Sequence, residues 1–129
     1  AVRIDGAFDY VKARSVPRQA KPYPPLAQAV EDQRIFLFEE TEGTILGFRC
    51  PDFVEGINVP GWHLHFLSSD RRDGGHLLDC RFAKARAQAD ISREFFMRLP
   101  DSEAFMEKNL GRDMREELDK VERDGAAER

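Results

Sequence analysis

Only two cysteines and three histidines occur among the 129 residues, and each scarcity limits what the chain can be. Cys50 and Cys80 stand far apart, with no CxxC spacing and no disulfide framework, so they read as two small buried hydrophobes. Long apolar runs are lacking, so no transmembrane segment and no membrane partner are expected. No secretory signal pattern opens the chain, and the expected compartment is the cytoplasm. A basic excess is lacking too: Lys and Arg total 20 against 24 Asp and Glu, for a formal net charge of −4. A nucleic-acid-binding domain needs the opposite balance, clustered on one face, so no nucleic-acid partner is expected. There is no internal repeat and no low-complexity tract. An initiating methionine is also missing, and the strand-like run "AVRIDGAFDYV" reads as the middle of something longer.

What is present suits one soluble domain: 41% hydrophobic and 34% charged residues, in a length that supports a single core. Residues 2–16 read as one or two strands, with Gly6 as a bend. The proline-rich "SVPRQAKPYPPL" must be extended or turning, and leads to a short helix over 25–34. "IFLFE" and "TILGF", separated by the polar "ETEG", predict a hairpin. A loop over 50–61 precedes strands at about 62–69 and 75–83 joined by "DRRDGG", with a last strand at 93–98. Pro100 with Asp101 or Ser102 marks a helix start, and Leu110, Met114 and Leu118 give a further helix its apolar stripe. The expectation is an α+β fold, mostly antiparallel β-sheet with short helices, forming one domain over 1–122 with a frayed tail at 123–129.

The histidines carry the chemistry. In "GWHLHF" His63 and His65 alternate with Trp62, Leu64 and Phe66, so a strand would send both imidazoles to one face and the apolar side chains to the other. His76 follows the turn in the returning strand. A hairpin loop centred near residues 70–72 pairs positions that sum to about 141, which sets His76 opposite or nearly opposite His65. Three converging neutral imidazoles form the usual protein half of a catalytic zinc site, and nickel, iron or manganese would accept the same ligands. The bland alternative is three surface histidines, but the confinement of all three to fourteen residues on one predicted face favours a metal, and the apolar residues between them exclude a histidine-rich tract. A cupin-like protein would also use His-x-His, followed by an acid such as Asp70; an α-carbonic-anhydrase-like site would place its third histidine farther along. Periodicity puts Glu122 at the end of the last helix's stripe, where a solvated carboxylate is the ordinary reading. Arg14, at a strand end, reads as an ordinary surface charge.

The runs "RIDGAFDYVKARSVPRQAKPYPPL", "GTILGFRCPDFVEGINVPGWHLHFLSSDRRDGGHLLD" and the late "KVE" resemble the α-acetolactate decarboxylase family over nearly the whole chain. The resemblance implies that His63, His65 and His76 bind Zn2+, that Arg14 of "RSVPRQ" helps to hold the substrate, and that Glu122 of "KVE" reaches the metal-centred site. It implies decarboxylation of 2-acetolactate, a 2-hydroxy-3-oxo acid, to (R)-acetoin and carbon dioxide. A Lewis acid would stabilise the oxygen that takes up the electron pair, Arg14 would orient the departing carboxylate, and Glu122 would supply the proton. Members of that family carry an additional N-terminal half with a further active-site glutamate, and nothing here matches it. The chain is therefore expected to be the C-terminal half, working as a homodimer or with a complementing N-terminal half. A non-catalytic half-domain that keeps its metal site is the remaining alternative.

Overall fold

Four long strands make up most of the chain: β1 (Val2–Ser15), β2 (Arg34–Cys50), β3 (Gly61–Ser68) and β4 (Gly74–Ala89). The computed structural model describes residues 1–107 together with 111, 113, 115, 116, 118 and 121. All strand pairs are antiparallel, and β4 returns to β1, so the sheet closes into a barrel in the order β1-β2-β3-β4. The expected domain end at 122, the tail at 123–129, Leu110 and Met114 lie outside the described residues. Two short helices are α1 (Leu26–Ala29), which runs into a 3-10 turn over Val30–Asp32, and α2 (Glu103–Met106), and the described residues 115, 116, 118 and 121 are helical as well.

The core follows from alternation. Phe8, Val11, Ala13, Ile45 and Phe66 are fully or almost fully buried inside the barrel, and Ile4, Phe38, Leu64, Leu77 and Cys80 pack against them. Phe66 meets Phe8 edge-on at 5.8 Å between ring centroids and Phe38 at 5.4 Å, both ordinary aromatic contact geometries. Cys80 and Cys50 are half-buried rather than buried, and burial pushes the Cys80 thiol above its ordinary range.

The expected hairpin at "ETEG" does not form. β2 runs through it as one strand because β1 pairs with it on both sides of Asp9 and Glu40, from Val2–Gly47 to Ser15–Arg34. The turn signal survives as a kink: Glu40 takes a left-handed φ of 45°. Opposite that kink the inward-facing residues of β1 change parity, from Val2 and Phe8 to Val11 and Ala13. This shift carries Arg14 to the outer face.

The expected strand at 93–98 is also absent. Val2 pairs with Ala89, Asp90 makes backbone hydrogen bonds with Ala1, and residues 90–102 form no regular element. Within this stretch Ile91, Phe95 and Phe96 are exposed. The helix expected over 25–34 stops at Asp32, and Gln33 enters an extended conformation that leads into β2.

Candidate metal centre

β3 presents His63 and His65 on one face because their in-register partners on β2, Phe48 and Leu46, also point outward. The intervening pairs, Gly47–Leu64 and Ile45–Phe66, point into the barrel. Gly47 lets the two strands close up here: a Cβ on it would run into the His63 carbonyl. Trp62 shares the inward parity but does not join the core; it lies at the barrel mouth, where β2 ends opposite Gly61, and is 61% exposed.

The turn between β3 and β4 sets the third ligand. Asp70 accepts hydrogen bonds from the Ser68 hydroxyl at 2.7 Å and the Arg72 amide at 3.1 Å, which hold its carboxyl below the usual carboxylate range. The register then pairs His65 directly with His76. The three imidazoles lie 5.0 to 5.3 Å apart between ring centroids, and one ring nitrogen from each falls within 4.8 Å of the others. Nε2 of His63 and Nε2 of His65 are 3.1 Å apart. Two Zn–N bonds of about 2.0–2.1 Å at a tetrahedral angle would separate their nitrogens by about 3.4 Å, so the spacing fits donors to a common ion. Among the described residues this cluster contains no carboxylate, and Asp70 is spent on its own turn, which removes the support for a cupin-type ligand set.

Arg14 departs from the surface-charge reading. It pairs with His76 across β4 and β1, and is only 5% exposed. Its guanidinium donates to Oε1 of Gln33 at 3.1 Å and to the carbonyl of Val121, itself buried. Gly75 keeps β4 close at this point, since a Cβ there would meet the Arg14 carbonyl. Glu122 lies outside the described residues. Gln33 was invisible to sequence reasoning, because nothing local distinguishes a glutamine at a helix exit from a solvated one. A separate cleft lined by Asp5, Glu42, Thr44, Ser69, Lys84 and Arg86 includes none of the histidines. Its Asp5 is already held by Arg3 and Thr44.

The sequence profile of the alpha-acetolactate decarboxylase family matches residues 1–112. An alpha-acetolactate decarboxylase from Methanosarcina mazei is 53% identical over 123 residues, covering 95% of this chain and 43% of the relative. One from Methylococcus capsulatus is 40% identical over 122 residues, covering 95% and 47% respectively. The crystal structure of acetolactate decarboxylase from Bacillus subtilis subspecies spizizenii superposes with a TM-score of 0.84 at 38% identity, over 94% of this chain and 51% of that one. The chain thus spans about half the length of the relatives it matches.

Proposed function

The chain belongs to the alpha-acetolactate decarboxylase family, and from that premise we propose that it holds a zinc ion on His63, His65 and His76. There it would serve the decarboxylation of 2-acetolactate to (R)-acetoin and carbon dioxide. The observation that carries this reading is the single outward row in which Arg14, His76 and His65 stand side by side on neighbouring strands. It sets a cation beside a three-imidazole donor set, which is what a chelating hydroxy-keto carboxylate needs.

Zinc on these ligands would supply Lewis acidity toward the hydroxyl and keto oxygens of the substrate. The protein's own groups account for the rest. Cleavage of the bond to the carboxylate leaves an electron pair that the adjacent ketone absorbs, and this is fastest when that bond is held out of the ketone plane. Arg14 would hold the carboxylate in that orientation, itself held by Gln33 and the Val121 carbonyl, so that little reorganisation is needed. Protonation of the carbon on one face would follow from Glu122, which the family resemblance brings to the metal-centred site.

We read residues 1–122 as an α+β C-terminal-half domain that acts in the cytoplasm as a homodimer or with a complementing N-terminal half. The second reading is a domain that binds metal without turning over. Metal content, native mass and acetoin formation, measured on one preparation, separate the two. One zinc per chain with acetoin formed is the expected result. Zinc without acetoin, alone or with the complementing half, leaves the second reading, and no zinc overturns both.

A further inference from the structure

The outer face that carries the histidines is not uniformly polar. Leu46 pairs in register with His65 and Phe48 with His63, so each ligand on β3 has a large apolar neighbour on the same face of β2. Directly paired residues bring their Cβ atoms within about 4.5–5.5 Å. Leu46 and Phe48 are 56% and 55% exposed, so the barrel core does not use them. Single exposed hydrophobics are ordinary; two that flank two of three converging imidazoles form a feature of that site.

The row has a direction. Across the strands its order is Leu46 (β2), His65 (β3), His76 (β4), Arg14 (β1). Hydrocarbon stands on one side of the imidazoles and the guanidinium on the other. A small acid held over the histidines with its carboxylate toward Arg14 must turn its far end toward Leu46 and Phe48. We propose that Leu46 and Phe48 form the wall that receives the alkyl substituents of a 2-hydroxy-3-oxo acid and thereby set which substituent sizes the site accepts. This rests on the function proposed above, and it deepens that reading by assigning substrate selectivity to the β2 side of the site.

The test uses zinc-loaded protein and stable 2-hydroxy-2-alkyl carboxylic acids, beginning with 2-hydroxyisobutyrate and lengthening one alkyl group by one and two methylenes. Affinities are measured by isothermal titration calorimetry, with zinc content determined on every sample. In the unaltered protein each added methylene should tighten binding by about three- to fourfold. In the Leu46→Ala/Phe48→Ala variant the gain per methylene should fall below about twofold, with zinc retained. Ile91→Ala, which removes another exposed hydrophobic just past the end of β4 farthest from His76, should keep the full gain. An undiminished gain in the double variant, or an equal loss in Ile91→Ala, overturns the wall while leaving the metal site standing. Failure of the unaltered protein to hold zinc overturns the proposed function, and the wall with it.

Discussion

His65 and His76 face each other directly across β3 and β4, and that single register pair turns two histidines on one strand into a three-imidazole cluster. Because these side chains lie on the outer face, metal binding and folding can be varied separately.

His76→Ala should abolish stoichiometric zinc while changing the stability of the metal-free protein by no more than about 0.5 kcal/mol, the ordinary effect of an outward-facing substitution. Elemental analysis and urea unfolding measure the two. In the unaltered protein, zinc at about 100 times its dissociation constant should add roughly 2.7 kcal/mol, or on the order of 10 °C in melting temperature. EDTA should reverse the rise, and equal zinc content in the His76 variant would remove it from the ligand set.

Asp70→Asn should leave zinc content unchanged, because its carboxylate serves the Ser68 hydroxyl and the Arg72 amide of its own turn. Loss of zinc in this variant would restore the cupin-type reading.

Gln33→Ala should destabilise the fold by about 1.5–3 kcal/mol, since it deprives the buried Arg14 guanidinium of one of its acceptors. Zinc content should stay the same, because Gln33 is not among the three clustered donors. Urea midpoints and elemental analysis check both halves of the statement.

Phe66→Ala should cost about 3–5 kcal/mol by opening a cavity between Phe8 and Phe38. It should weaken zinc as well, since Phe66 anchors the strand that carries His63 and His65. Retained affinity in the folded variant would show that the cluster does not depend on this anchor.

Two carboxyls give the stability a pH dependence of known sign. Asp5 is held below its ordinary value chiefly by hydrogen bonds from Arg3 and Thr44, and Asp70 by those from Ser68 and Arg72. A lowered folded value means the unfolded chain binds more protons in this range, so stability rises with pH there. Their contribution is complete above about pH 4 and disappears as pH falls through the lowered folded values. Urea midpoints at decreasing pH should fall more for the unaltered protein than for an Asp5→Asn/Asp70→Asn variant, and parallel curves would contradict the assignment.

The sequence by itself determined the histidine cluster, because everything needed was local. Period-two alternation put His63 and His65 on one face, and the turn at "DRRDGG" implied a pairing sum near 141, which His65 and His76 satisfy. It also yielded a mostly antiparallel sheet with short helices, since strand alternation is a short-range signal. Only the tertiary structure decided the rest. "ETEG" reads as a turn until β1, pairing on both sides of it, makes it cheaper for β2 to continue through a kink at Glu40. Trp62 reads as sharing a face with Leu64 and Phe66 inside the fold until the end of β2 leaves it at the barrel mouth. Arg14 reads as a surface charge until closure of the barrel pairs it with His76 and brings Gln33 and Val121 to its guanidinium. Burial, and the partner that makes a buried charge tolerable, depend on residues distant in the chain, and no local pattern encodes them.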